Sequence, residues 1–148
     1  MDEDEYRKTY QQINEIRCVF EKALCSLGCA CSKSKPFRLA DRTSYGCQSK
    51  KDQKQCANFL NQLRNQTHFV FKISEIDGPL PHNKEIRVQS GGLLGLQKLQ
   101  DISLEKVEDV QHIISLAIEK YGDINKIPFD IVMQSVMAFK ARPKRRPK

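Results

Sequence analysis

The distribution of cysteine constrains this chain more than any other feature of its sequence. Five of the six cysteines lie within residues 25–56, and three follow the spacing C-x3-C-x-C in the segment CSLGCACSKSK, residues 25–35. The other two stand alone in SYGCQS and KQCANF. Thiolates bind soft metals, so such a region favours zinc, copper(I) or an iron–sulfur cluster over magnesium or calcium. The alternatives are a disulfide framework, a reactive thiol centre, or small residues packed in a core.

The N-terminal sequence bears on the redox state that we expect for these thiols. The first residues, MDEDEY, are acidic and no apolar run follows them, which argues against an ordinary secretory signal. No stretch approaches about eighteen consecutive apolar residues, so no transmembrane segment is predicted. We therefore expect a cytoplasmic protein whose thiols stay reduced, and we do not interpret the even number of cysteines as a set of disulfides.

The candidate metal ligands are the cysteines of residues 25–56, namely Cys25, Cys29, Cys31, Cys47 and Cys56. They lack the C-x2-C spacing of common zinc sites, and no histidine lies among them. An iron–sulfur cluster, with [4Fe–4S] favoured, is therefore the preferred cofactor, and zinc is the alternative. Residues 33–64 contain eight basic and two acidic residues, and this excess of positive charge favours thiolates and an anionic cluster. The sequence does not indicate which four of these five cysteines would be the ligands.

The periodicity of apolar residues predicts a mainly helical α+β fold. Apolar stripes indicate about four helices, over residues 6–27, 49–65 and 107–121 and from Pro128 onward. Gly28 and Gly122 follow two of these stripes, where left-handed C-terminal caps are expected. Alternation in residues 68–76 and 84–90 predicts a small two-stranded antiparallel sheet. The segment SGGLLGLQ, residues 90–97, is then a tight strand-to-helix connection, and residues 29–48 are irregular.

The predicted first helix also gives an interpretation of two thiols. Ile13, Phe20 and Leu24 share its apolar stripe, whereas Cys18 and Cys25 fall roughly opposite that stripe at 100° per residue. This position argues against burial in the core, and we interpret Cys18 as an unliganded thiol. Cys56 lies on the apolar face of its own helix and could equally be a core residue.

The basic charge of the chain is concentrated at its C-terminus. Of the formal net charge of +7, the tail KARPKRRPK contributes six basic residues and no acid, and the remainder is nearly neutral. We predict a single cysteine-rich helical domain over residues 1–140 and a disordered basic tail over 141–148. The candidate polyanion-binding residues are Lys140, Arg142, Lys144, Arg145, Arg146 and Lys148. They would bind nucleic acid, anionic lipid or an acidic protein surface without sequence specificity.

The function that these features favour is that of an accessory protein rather than an enzyme. The histidines are scattered, no catalytic pair is evident, and SGGLLGLQ lacks the Lys–Ser/Thr of a phosphate-binding loop. The preferred hypothesis is a cytoplasmic, cysteine-ligated iron–sulfur protein that serves as an accessory, electron-transfer or sensing component of a larger assembly. The alternatives are a zinc-stabilised module that binds nucleic acid or ribonucleoprotein through its tail, and a metal-free helical adaptor.

Overall fold

Helices account for most of the described chain. The computed structural model describes residues 2–26, 28–71, 82–102 and 105–139. In these residues the elements are α1 (Glu3–Ile13), α2 (Glu21–Cys25), β1 (Ser34–Leu39), β2 (Arg42–Cys47), α3 (Lys50–Phe71), α4 (His82–Leu99), α5 (Val110–Tyr121), a 3-10 turn (Ile124–Lys126) and α6 (Phe129–Ala138). The predicted class, mainly helical α+β with one two-stranded antiparallel sheet, is confirmed, with more helices than the four expected.

The first predicted helix is wrong in its length, because the chain leaves the helical path at Asn14. Asp2 caps α1 by accepting a hydrogen bond from the Glu5 N–H at 2.8 Å. At the other end, the Asn14 side chain donates to the Tyr45 carbonyl at 3.1 Å and to the Tyr10 hydroxyl at 3.0 Å. The contact with Tyr45 in β2 ends the helix, and a second, short helix begins only at Glu21.

The antiparallel sheet lies in a region predicted to be irregular. Strands β1 and β2 pair from Ser34↔Cys47 to Leu39↔Arg42. Ala40 and Asp41 form the turn, with φ of 49° and 66°, as two-residue hairpins with matching twist require. The predicted strands are wrong: residues 68–71 belong to α3 and residues 84–90 to α4, while 72–76 lie outside the described residues. An alternation of only a few apolar residues is equally compatible with one face of a helix.

The last two predicted helices are confirmed at the positions where capping signals placed them. Gly122 ends α5 in the left-handed conformation, with φ of 85°, and its N–H bonds to the Ile118 carbonyl. Pro128 immediately precedes α6. Helix α3 begins as predicted, with the Ser49 hydroxyl accepting from the Asp52 N–H at 3.2 Å, but it continues to Phe71.

The core lies among α2, α3, α4, α5 and α6, whereas α1 contributes no buried residue. The rings of Phe20, Phe59 and Phe129 pack in sequence, with centroids 6.3 and 5.8 Å apart. The segment SGGLLGLQ is an internal part of α4 rather than a connection, which corrects the prediction. Its small residues let α4 approach α6 closely: a Cβ atom at Gly95 would lie 2.7 Å from the Val132 carbonyl oxygen.

Two further predictions concern membranes and the tail. Among the described helices, none combines the length and the apolar character that crossing a bilayer requires. The basic tail and its six candidate residues, Lys140 to Lys148, lie outside the described residues.

Candidate metal centre

Four cysteines surround one small cavity between the hairpin and the start of α3. They are Cys18, Cys31, Cys47 and Cys56, and the cavity measures about 20 Å³. Its walls also include the apolar side chains of Phe20, Leu24 and Val110. A space of this size holds roughly one water-sized sphere. In the described residues the four thiols come from four separate segments, and none of the six cysteines forms a disulfide.

Backbone pairing between two distant segments places Cys18 beside Cys47. The Cys18 N–H donates to the Tyr45 carbonyl at 3.2 Å, and the Cys47 N–H donates to the Ile16 carbonyl at 2.7 Å. Residues 16–18 therefore extend the edge of β2 like a short antiparallel strand, with Arg17 opposite Gly46. Gly46 is needed there because a Cβ would lie 2.6 Å from the Asn14 side-chain oxygen.

The other two thiols are held by a loop and by a helix. Cys31 lies in the segment between α2 and β1, where the neighbouring Ala30 N–H bonds to the Val107 carbonyl at 2.8 Å. The Cys31 carbonyl accepts from the Ser34 N–H at 3.2 Å and from its hydroxyl at 2.8 Å. Cys56 lies in the second turn of α3, one turn before the buried Phe59. The core thus fixes Cys56, and the hairpin base fixes Cys31.

Electrostatic coupling among the thiols shows how near they lie to one another. Burial, with smaller contributions from charges on Cys31 and Cys47, raises the pKa of Cys18 to about 12. Burial also raises the pKa of Cys56, with further contributions from the other three thiols. The pKa of Cys31 is raised by burial and, more weakly, by Cys47. Every pair among the four cysteines is therefore within interaction range.

Two of the five cysteines predicted as ligands lie away from this cavity. Cys25, at the end of α2, is exposed, and its thiol approaches the Thr43 carbonyl at 3.6 Å. Cys29 is buried in the main core, where its backbone forms a parallel bridge with Val107. Burial raises the pKa of the Cys29 thiol to about 12. The structure brings Cys31, Cys47 and Cys56 together and adds Cys18, which the sequence predicts to be an unliganded thiol.

The thiols line the cavity but do not converge on a point. In the parts of the chain that the structure describes, no group of three or more His, Cys, Asp or Glu side chains has the arrangement that holds a metal ion. A tetrahedral zinc site with Zn–S bonds of about 2.3 Å needs sulfur atoms roughly 3.8 Å apart. Sulfur atoms that bind a four-iron cluster surround a larger body and lie farther apart. Ligation of one ion would therefore require inward rotation of these side chains.

A larger groove elsewhere in the fold has a different character. It lies between α1, α2, β2 and the start of α4, has a volume of about 730 Å³, and includes both Tyr6 and Tyr10. The Tyr10 hydroxyl donates to Glu21 at 2.6 Å, and burial together with this carboxylate raises the pKa of Tyr10. Arg17 also contacts Glu21, at 3.2 Å. Because these polar groups bind one another, we interpret them as contacts that hold α1 against α2 rather than as a reactive site.

Comparisons with known proteins give no family for this chain. No protein-family model, no curated protein and no solved structure matches it significantly.

Proposed function

We propose that this protein binds a metal cofactor through Cys18, Cys31, Cys47 and Cys56, preferentially a [4Fe–4S] cluster. The observation that carries the proposal is the position of these four thiols around one cavity, although they come from four separate segments of the chain. Four thiolates form a complete ligand set for such a cluster or for a structural zinc ion.

Packing of cysteine as a small core residue explains this arrangement less well. The main core of this chain is built from larger apolar residues, and of the six cysteines only Cys29 belongs to it as a buried residue. The four cavity thiols are instead partly exposed and lie at the edge of the core, beside the hairpin base and Lys33. Apolar side chains of similar size would fill that position without leaving a void. Four thiols around one cavity form the kind of ligand set that soft metals prefer.

Two observations bear on which metal is bound. Among the described residues no three of these side chains have the arrangement that holds an ion, so either cofactor would require the thiol side chains to rotate inward. The cavity volume of about 20 Å³ favours zinc, because it would admit one ion without expansion of the walls. Three of the thiols lie on loops or at a strand end, where backbone adjustment is easiest. We therefore keep the cluster as the preferred cofactor and zinc as the alternative.

The role that we propose is that of an accessory, electron-transfer or sensing component within a larger assembly in the cytoplasm. The described residues that line the thiol cavity include no histidine, and they do not form the pairing of a nucleophile with a histidine base that is typical of catalysis. A partly exposed cluster near the surface would be accessible to a partner protein. Additional binding to nucleic acid through the basic tail remains part of the alternative in which zinc stabilises the domain.

Metal and acid-labile sulfide analysis of anaerobically purified protein tests the cofactor. The cluster predicts about four iron and four sulfide ions per chain, with visible charge-transfer absorbance that is lost on oxidation. One equivalent of zinc without sulfide would support the alternative. Colourless protein without either metal, whose melting temperature does not change on adding a chelator, would indicate a metal-free adaptor and overturn the proposal.

Single Cys→Ser variants test the ligand set. Cys18→Ser is the most informative of these variants, because Cys18 belongs to the ligand set that the structure suggests and not to the set predicted from the sequence. We expect its metal content to fall as far as that of Cys47→Ser or Cys56→Ser. Cys25→Ser is the matched control, since this thiol is exposed and lies outside the cavity. Full metal content in Cys18→Ser together with loss in Cys25→Ser would refute the ligand set.

A further inference from the structure

The solvent face of α3 carries a stripe of lysines followed by asparagines. Six exposed residues recur at the spacing of helical turns along this face: Lys50, Lys51, Lys54, Asn58, Asn61 and Asn65. At 100° per residue they fall within roughly one third of the circumference. We call these six residues the α3 stripe. The stripe contains no acidic residue and no large apolar residue.

The side chains of the stripe are not used in the fold. In the described chain, none of the three lysines forms an ion pair, and none of the three asparagine side chains forms a hydrogen bond. Amides beside the stripe behave differently: Gln53 donates to the Arg17 carbonyl at 2.9 Å, and Gln62 donates to Asn125 at 3.0 Å. Cations and amides that point to solvent along one helix face are therefore left for another molecule.

The acidic groups near this face are bound to other residues. Asp52, the acidic residue of α3, lies on the cavity side and accepts from the Gln111 amide at 3.4 Å. Glu21, across a small cavity from Asn61, is bound by Arg17 and Tyr10. The three lysines therefore concentrate positive charge on this face toward the N-terminal end of α3.

We propose that the α3 stripe binds double-stranded DNA, with the lysines on backbone phosphates and the asparagines on base edges of the major groove. Lysine binds phosphate without regard to sequence, and asparagine pairs with adenine in the major groove. An α-helix is about 10–12 Å across and the major groove about 12 Å wide. From Lys50 to Asn65 the stripe extends roughly 22 Å, about the length of six or seven base pairs.

This inference goes beyond the metal centre and does not depend on it. The stripe and Cys56 lie on opposite faces of α3, so the charge of the stripe is the same whether or not Cys56 binds a metal. A membrane surface is a poorer partner, because peripheral helices insert a broad apolar face. Among the described side chains, this face of α3 exposes one large apolar residue, Phe69, one turn beyond Asn65. The stripe is also separate from the basic tail, which lies outside the described residues.

Salt-dependent binding to DNA tests the proposal on the full-length chain. The probe is a fluorescent DNA duplex of about 20 base pairs, roughly three times the length of the stripe. The variant Lys50→Gln/Lys51→Gln/Lys54→Gln removes three cations from the stripe. The matched control is Lys98→Gln/Lys106→Gln/Lys126→Gln, which changes the net charge equally at exposed positions on other elements. Metal content and melting temperature are measured on every sample, so loss of the cofactor is recorded separately.

The slope of log Kobs against log salt concentration decides the outcome. Each lost phosphate contact reduces the slope by about 0.9, so the stripe variant should lose about 2.7 and the control far less. Equal slopes in the wild type and the stripe variant would assign DNA binding to the tail and overturn the proposal. Equal losses in both variants would indicate only a net-charge effect and also overturn it. Lysine-dependent binding to anionic vesicles but not to DNA would assign the stripe to lipid instead and equally refute it.

Discussion

The close approach of α4 to α6 makes Gly95→Ala a sharp test of the fold. In an exposed helix interior, alanine stabilises a protein by about 1 kcal/mol relative to glycine. At Gly95, however, the new Cβ would lie 2.7 Å from the Val132 carbonyl oxygen and 3.1 Å from the Val132 Cα. Both atoms belong to the backbone of α6, so neither can move unless the helix moves. The two effects oppose each other, and their magnitudes decide the sign.

The steric effect should be the larger of the two. Ordinary contacts of a Cβ begin near 3.4 Å, so α6 would have to shift by about 0.7 Å at this position. Overpacking of a core costs about 1–3 kcal/mol, and a rigid backbone neighbour places this site at the upper end. After subtracting the gain in helix propensity, we expect a loss of about 2 kcal/mol. For a chain of this size, that loss lowers the melting temperature by roughly 6 °C.

Thermal and urea unfolding of Gly95→Ala, followed by circular dichroism, gives the comparison. Gly92→Ala is the matched control, because its Cβ meets only the end of the Leu63 side chain, at 2.5 Å from Cδ1. A side-chain end can rotate away, so the control should lose less than about 1 kcal/mol. If Gly95→Ala were as stable as the wild type, the backbone of α6 could not lie against α4 at this position.

Three further substitutions test other parts of the structure. Arg64→Met removes the cation that bonds to the buried Glu85 at 2.5 Å, and urea unfolding should show a loss of about 3–5 kcal/mol, largely restored when Glu85→Gln is added. Asp109→Ala removes the N-terminal cap of α5 and the acceptor for the Ser32 N–H at 3.0 Å; we expect a loss of about 1–2 kcal/mol, and a smaller one for Asp109→Asn. Asn14→Ala removes one hydrogen bond to the hairpin, at the Tyr45 carbonyl, and one to the Tyr10 hydroxyl within α1, and should reduce the free energy of unfolding by about 1–3 kcal/mol; unchanged stability would contradict the assigned contacts.

Local capping signals made three helix ends predictable. Gly122 adopts the left-handed conformation that ends a helix, Pro128 precedes the first turn of another, and Ser49 caps α3. Each signal acts within four residues of the chain, so no knowledge of the tertiary fold is needed to interpret it. The same sequence therefore predicted the starts of α3 and α6 and the end of α5 without an alignment.

The sheet could not be located by the same reasoning. Its turn is formed by Ala40 and Asp41, both with positive φ, whereas the usual sequence signal for this turn is Asn-Gly or Asp-Gly. Strand β1 contains a proline, Pro36, which argues against a strand except at an edge. In a two-stranded sheet both strands are edges, so this proline is tolerated. Tertiary contacts with α1, such as the Phe37 ring 5.9 Å from that of Tyr10, then stabilise a hairpin that local propensity does not predict.

The position of Cys18 follows from the same non-local contacts. Helical phase places this thiol opposite the apolar stripe only if one helix continues through it. Asn14 ends that helix because its side chain binds the Tyr45 carbonyl, 31 residues away in sequence. The chain beyond it then pairs with the end of β2, and this pairing brings Cys18 beside Cys47. A metal bound by these thiols would cross-link that pairing to Cys56 on α3, and so its binding energy would stabilise the contacts that local sequence signals specify least.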